Sequence, residues 1–275
     1  MNENKWLEEQ IFVGDAENYG VAYKFKKSKI PFGKKRNLIF PIMFILFFVS
    51  ICAMGSGIAS GVVRVNSSTQ NSALTLSNAN YYAVSTGSFS SVELASEVAT
   101  KIKSIGGAGY VYNHGGEYNV LMYIYATRED AITVSGKVSE QGFTTSVLAF
   151  NCEAKTYNYN LSADDQTTFK NAINSFDDIY VKLYNISNNY DKKLATISAS
   201  RLELVGVQKE FERMYTKFIA TFSNSSDENI IKLIRKLDIV SSELDLLVDP
   251  LMLDSNFTSL IKHSCINLIV ARYEL

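Results

Sequence analysis

The sequence between residues 81 and 149 repeats itself with a spacing of 36 residues. Each copy has the pattern of a strand, a turn, a helix, a glycine and a second strand. Two such βαβ units in tandem predict a small sheet with both helices on one face and a bare face opposite. A bare sheet face is a platform for binding, not a catalytic cleft. The corresponding pairs are Tyr82 and Tyr118, Phe89 and Tyr125, Ala95 and Ala131, Val98 and Val134, Ile102 and Val138, Gly106 and Gly142, and Val111 and Val147.

The two helices of the repeat begin at capping signals. Ser90-x-x-Glu93 and Thr127-x-x-Asp130 both fit the capping box, in which side chains satisfy free amides at the helix start. The expected strands are the segments from Tyr82, from Tyr110, from Tyr118 and over 144–150. The fold class is therefore α+β, with a four-stranded antiparallel sheet and two helices on one face.

An apolar segment precedes the repeat. Residues 37–63 contain no charged side chain, and about 20 apolar residues are enough to cross a bilayer core as a helix. Seven basic residues lie between Lys24 and Arg36, whereas Arg64 stands alone on the other side. The positive-inside rule then predicts a single-pass protein of the cell membrane, with a cytoplasmic N-terminus and exported C-terminal domains. A cleaved signal peptide is the alternative, with Gly57-Ile-Ala59 as its cleavage site.

Composition excludes several classes of partner and site. The part after Arg36 has 19 basic and 23 acidic residues, a balance that argues against nucleic acid as a partner. The basic cluster before the apolar segment favours contact with the lipid bilayer. The two histidines, His114 and His263, lie far apart and there is no Cys-x-x-Cys, so we expect neither a metal nor a cofactor. Cys152 and Cys265 either form one disulfide or remain two buried thiols.

The sequence divides into five segments. They are a basic cytoplasmic tail (1–36), a transmembrane helix (37–63), a flexible Ser- and Asn-rich tether (64–80), the repeat domain (81–150) and a helical region (161–275). Four apolar stripes at helical spacing predict that this last region is an antiparallel bundle or a pair of long hairpins. A coiled coil that binds a partner is the alternative.

The repeat domain resembles the SPOR family, the peptidoglycan-binding module of bacterial division and sporulation proteins. The resemblance depends on Tyr82-Ala-Val-Ser-Thr-Gly-Ser-Phe89, Ala95, Gly106, Tyr118-Asn-Val120, Ala131 and Gly142. It implies a membrane-anchored protein of the type found in spore-forming Firmicutes. It also implies that the exposed sheet face binds glycan strands stripped of their stem peptides, which are enriched at septa.

The resemblance also implies a set of binding positions. The family's first-strand Gln falls on Ser85, its serine on Ser88, its frequent third-strand Arg on Asn119, and a later glycine on Tyr123. Alternation along the strand adds Leu121 to this face, and Tyr110 and Tyr112 border it. The predicted glycan-binding residues are therefore Ser85, Ser88, Asn119, Leu121, Tyr123, Tyr110 and Tyr112.

Three functions follow from these observations. The first is a non-enzymatic, membrane-anchored septal protein that binds denuded peptidoglycan during cell division, sporulation or engulfment. The second is an interaction scaffold whose helical region recruits another envelope protein and whose repeat domain no longer binds glycan. The third is a cell-wall hydrolase, which the sequence disfavours. Its adjacent acids, Asp164-Asp165, Asp177-Asp178 and Glu243-x-Asp245, fit solvated helix faces better than a paired-carboxylate site.

Overall fold

The fold is a four-stranded antiparallel sheet packed between two groups of helices. The computed structural model describes residues 73–159, 161–249 and 254–275. The order of the sheet is β3-β4-β2-β5, and a separate two-stranded ribbon joins β1 to β6. The strands are β1 (Ala73–Leu76), β2 (Ala79–Phe89), β3 (Tyr110–His114), β4 (Glu117–Tyr125), β5 (Ser146–Cys152) and β6 (Lys155–Asn158).

The repeat seen in the sequence is a repeat of structure. Helix α1 (Val92–Ser104) and helix α2 (Arg128–Ser139) begin 36 residues apart, as do β3 and β5. Thr127 caps α2 by accepting the amide proton of Asp130, as the capping box predicts. The cap of α1 is Ser91 instead of Ser90. The predicted four-stranded antiparallel sheet and the two repeat helices are confirmed.

The C-terminal region forms four long helices that close into a ring. Helix α3 packs on α4 and α6, and α5 packs on α4 and α6, so that each helix contacts two others. Buried phenylalanines fill the centre, with the Phe169 ring 5.8 Å from that of Phe222. This arrangement is a four-helix bundle. Its helices are α3 (Ala163–Asp191), α4 (Ile197–Phe222), α5 (Glu228–Val248) and α6 (Phe257–Tyr273), with one 3₁₀ turn over Asp254–Asn256.

Helices cover both faces of the sheet. Residues 83–86 of β2 and 120–125 of β4 are buried without a break. Neighbouring side chains on a strand point to opposite faces, so an unbroken buried run requires cover on both. Helices α1 and α2 pack on β2, β4 and the outer strands, and α6 packs on β4 and β5. The predicted bare face is therefore wrong, because the C-terminal bundle occupies it.

The β1–β6 ribbon connects the repeat domain to the bundle. Ala73 pairs with Asn158 and Leu76 with Lys155 in antiparallel register. Leu74, Leu76 and Tyr157 are buried, and the Tyr157 ring lies 5.1 Å from that of Phe169 in α3. Residues 73–80, which the sequence assigned to a flexible tether, thus form β1 and the start of β2.

The predicted transmembrane helix is not part of the described fold. Residues 37–63 lie outside the described residues. Within the described ranges, no helix combines the length and the apolar character that a membrane crossing requires. This finding corrects two predictions: the fold class that included a transmembrane helix, and the localisation in the cell membrane that was inferred from it.

We predict that Gly109→Ala destabilises the protein much more than Gly116→Ala. Both glycines have positive φ, +52° and +90°, where a side chain costs about 1 kcal/mol. A Cβ at Gly109 would lie 2.3 Å from the Ala99 carbonyl oxygen, whereas nothing lies within 4 Å of one at Gly116. Urea unfolding of the two variants measures the difference. Equal unfolding midpoints would contradict this prediction, since they would show that α1 shifts to accommodate the new Cβ without loss of stability.

Candidate functional site

Four of the seven predicted glycan-binding residues are buried between the sheet and its helices. Ser85 and Leu121 are 0% exposed, Tyr123 is 3% exposed and Asn119 is 9% exposed. The structure does bring them together, since Ser85 pairs with Leu121 across β2 and β4. A glycan strand has no access to these side chains in this arrangement.

Tyr123 occupies the centre of the buried face. Its ring stacks on Tyr184 of α3 at 5.5 Å, and the Lys262 amine of α6 lies 5.5 Å from the ring centre. Burial raises the pKa of the Tyr123 hydroxyl well above its ordinary value, because an ion there would lose its hydration. Tyr123 is therefore a neutral packing residue between the sheet and both helices.

Tyr110 and Tyr112, on β3, are half-buried. The Tyr110 hydroxyl donates a hydrogen bond to Asn267 Oδ1 at 3.3 Å, and its ring lies 4.9 Å from that of His263. The Tyr112 ring stacks on His114 at 5.9 Å, beside the β3–β4 turn, and also lies 5.2 Å from the ring of buried Phe150. Tyr110 thus contacts α6, and Tyr112 reaches the surface.

The Ser85 and Ser88 hydroxyls have different environments because β2 is irregular between them. The pairing of β2 with β4 shifts register on both sides of Ser85. Ser85 Oγ donates to the Gly87 carbonyl at 3.1 Å, so it is already used within the strand. Ser88 is exposed and donates to Glu117 Oε2 at 2.7 Å.

One accessible group of polar and aromatic side chains remains at the end of the sheet. Tyr112 and Tyr118 are half-buried, and Ser88, His114 and Glu117 are exposed. Residues 115 and 116 form the turn that joins β3 to β4, and the Gly116 amide donates to Asn113 Oδ1 at 3.3 Å. We call these five residues, Ser88, Tyr112, His114, Glu117 and Tyr118, the hairpin patch.

Polar contacts hold the bundle against the sheet near α6. Lys262 is 2% exposed; its amine lies 2.7 Å from Asp191 Oδ2 and donates to the Gly106 carbonyl at 2.8 Å. Ser259 Oγ donates to the Gly107 carbonyl at 2.8 Å. These contacts join α6 to the segment that follows α1.

A second polar group joins α3 and α6 to β2. The Tyr81 hydroxyl donates to Asp177 Oδ1 at 2.7 Å, and Arg272 Nε lies 2.7 Å from the same oxygen. Arg272 Nη2 also donates to the Ser77 carbonyl at 2.6 Å. Burial, reinforced by the Asp177 carboxylate, raises the pKa of Tyr81.

The acidic pairs noted in the sequence have structural partners. Asp165 belongs to the cap of α3 with Ser162, and Asp177 pairs with Arg272. Glu243 accepts hydrogen bonds from Ser264 and Asn267. The described residues contain no group of three or more His, Cys, Asp or Glu side chains that could hold a metal ion.

The two cysteines of the described region are separate buried thiols. Cys152 and Cys265 do not form a disulfide. Burial raises the pKa of both thiols, since a thiolate would lose its hydration. Cys265 belongs to α6 and lies close to Tyr123 and Lys262, where the bundle meets the sheet.

Sequence reasoning missed the helices that cover the sheet. Tyr81, Tyr184 and Lys262 all lie at this interface, and none was a candidate residue. Two signals were available. Strand β4 is an almost unbroken apolar run, which is typical of a strand buried on both faces. Helix α6 has apolar or small residues all around it, which is typical of a helix buried on all sides.

We predict that the protein loses stability as the pH falls below about 6.5, the ordinary pKa of histidine, because of His263. Burial lowers the pKa of His263, which Glu243 partly opposes, so the unfolded chain takes up the proton first. The contribution of His263 to stability is then fully present above pH 6.5. It is lost below that pH, by at most about 1.4 kcal/mol per pH unit for one proton.

Urea unfolding of the full chain between about pH 5 and 7 measures this dependence. His263→Gln should flatten it, and His114→Gln, at the exposed second histidine, should leave it unchanged. Identical pH profiles for the wild type and His263→Gln would contradict the assignment.

Comparisons with known proteins agree with the sheet and its two repeat helices. No curated protein and no solved structure matches the chain. One family model matches, over about a quarter of the chain, and its limits enclose nearly all of β2, α1, β3, β4, α2 and β5. The matched family is one of binding domains that are not catalytic and that bind peptidoglycan. Residues 78–149 match the SPOR domain.

Proposed function

We propose that this protein binds peptidoglycan glycan strands through its SPOR domain and does not cleave them. The observation that carries the proposal is the SPOR match over residues 78–149, which coincides with the sheet and its two repeat helices. A role in cell division or in sporulation is part of the same proposal.

The hairpin patch is the surface at which a glycan can first make contact. A neutral sugar polymer binds through hydrogen bonds to its hydroxyl groups and through rings that pack against its apolar faces. Tyr112 and His114 present stacked rings, and Ser88 and Glu117 present a hydroxyl and a carboxylate beside them. The patch therefore combines both kinds of contact.

The predicted site residues contribute in two groups. Ser88 and Tyr112 belong to the hairpin patch, where a glycan can reach them with the bundle docked. The other five are covered by helices while the bundle is docked, so a glycan reaches them only when the bundle has left the sheet. They are Ser85, Asn119, Leu121, Tyr123 and Tyr110.

An interaction scaffold is the second candidate, and the burial of the sheet face favours it. With the bundle docked, Tyr123 and Leu121 are core residues, and the exposed surface of the bundle is left to meet a protein partner. Glycan binding separates the two candidates, because a scaffold of this kind would bind no glycan.

We predict that the full chain sediments with stem-peptide-free glycan strands more than with intact peptidoglycan. Tyr112→Ala should weaken this binding by about threefold to tenfold, the loss expected for one aromatic contact. The matched control is Tyr215→Ala, which removes a half-buried tyrosine that stacks on Phe211 in the bundle.

Two results would count against the proposal. Equal binding by wild type and Tyr112→Ala would remove the hairpin patch from the site. Failure of the wild type, and also of a variant with a weakened bundle contact, to sediment at any glycan concentration would refute glycan binding itself.

A further inference from the structure

We propose that α3 and α6 form a displaceable cover that competes with glycan for the sheet, so that docking of the bundle holds the protein in a low-affinity state. This inference rests on the proposed glycan function. It adds that the chain controls its own access to the ligand.

The first support is the difference between the two faces of the sheet. The side facing the repeat helices is lined from α1 and α2 by apolar residues only. The contacts with α3 and α6 also include hydrogen bonds and tyrosine rings, such as those of Tyr180 and Tyr184. The buried residues of α1 and α2 are Ala95, Ala99, Ile102, Ala131, Val134 and Val138.

The second support is the chemistry of the covered contact. Tyr180 donates to the Ile124 carbonyl at 3.2 Å, and Tyr81 and Tyr110 also donate hydrogen bonds across it. A hydrogen bond exchanged for one to water contributes only about 1 kcal/mol net, less than an apolar contact of the same size. Water or sugar hydroxyls can replace these bonds when the cover leaves.

The Tyr123 hydroxyl also lacks a strong hydrogen-bond partner while the bundle is docked. It is buried without a nitrogen or oxygen partner within the described ranges, and the neighbouring Cys265 thiol is a weak hydrogen-bonding group. A buried hydroxyl whose partner is a thiol favours docking only weakly. A sugar hydroxyl beside the Tyr123 hydroxyl would be a stronger partner.

The third support is that the buried charges stay paired when the cover moves. Lys262 pairs with Asp191 and Arg272 with Asp177, and in each pair both partners belong to α3 and α6. Separating a buried ion pair is strongly unfavourable. Movement of the bundle as one body separates neither pair; it breaks the hydrogen bonds to the sheet and to residues 77, 106 and 107.

The bundle also has its own means of staying folded. Its four helices contact each other in a closed ring, with Phe169, Phe218 and Phe222 in mutual ring contact. The β1–β6 ribbon keeps it attached to the repeat domain. Release of the bundle from the sheet therefore requires only the loss of the interface between them, and no helix of the bundle has to unfold.

A cover variant and a chemically matched control test the inference. The cover variant is Ser259→Ala/Tyr180→Phe, which removes one hydrogen bond to the segment after α1 and one to strand β4. The control is Ser264→Ala/Tyr215→Phe, which removes the same two kinds of hydroxyl group from hydrogen bonds between helices of the bundle.

We expect the cover variant to bind stem-peptide-free glycan strands at least about tenfold more tightly than the wild type, since each lost bond shifts docking by about fivefold. The control should bind like the wild type. If the cover variant and the wild type bind equally well, the cover is refuted and the glycan function stands. If neither binds, the glycan function fails and the cover fails with it.

Thiol alkylation provides a second measurement that does not depend on these substitutions. Cys265 lies on the side of α6 that faces Tyr123 and is 0% exposed; replacement of Cys52 and Cys152 by alanine leaves it as the only thiol of the sequence. Glycan strands should raise its alkylation rate at least about tenfold. Val134→Cys, in a chain that has Cys265→Ala as well, places the control thiol under α2 and should stay protected.

Bound glycan with unchanged protection of Cys265 would overturn the inference. Equal deprotection of both thiols would also overturn it, because that result indicates unfolding and not movement of the cover.

Discussion

The packing of α6 between the sheet and the bundle is the contact on which the rest of the structure depends. Helix α6 touches α3 and α5 on one side and β4 and β5 on the other. Lys262, at 2% exposure, joins the two layers because its amine reaches both Asp191 and the Gly106 carbonyl. Removal of α6 would open the ring of helices and uncover the face of the sheet that it packs on, so one element sets both the integrity of the bundle and the accessibility of the repeat domain.

The sequence was sufficient for the parts of the fold that local pattern determines. The 36-residue offset indicated the order of strands and helices, and Thr127 caps α2 as its spacing predicted. Capping and strand alternation depend on neighbours within a few residues, which a single sequence displays directly. The sheet was therefore predictable without any knowledge of what packs on it.

What covers the sheet was not predictable in the same way. Lys262 and Gly106 are 156 residues apart, and no local pattern links them. Of the candidate site, Ser88 and Tyr112 reach the surface, whereas Ser85 and Tyr123 are buried by a helix far along the chain. The family resemblance supplied their positions on the strands, but it gave no information about a bundle outside the domain. The apolar run in β4 and the apolar or small residues all around α6 were the two signals in the sequence that helices cover both faces.

The β1–β6 ribbon determines how the protein responds to mechanical load. Ala73 and Asn158 are paired at the same end of the ribbon, so tension applied at residue 73 and at the bundle pulls the two strands apart from that end. In this unzipping geometry the hydrogen bonds of the ribbon break one after another, whereas in a shear geometry they would break together. The ribbon therefore yields under low force and absorbs extension before any of that force reaches the four-stranded sheet.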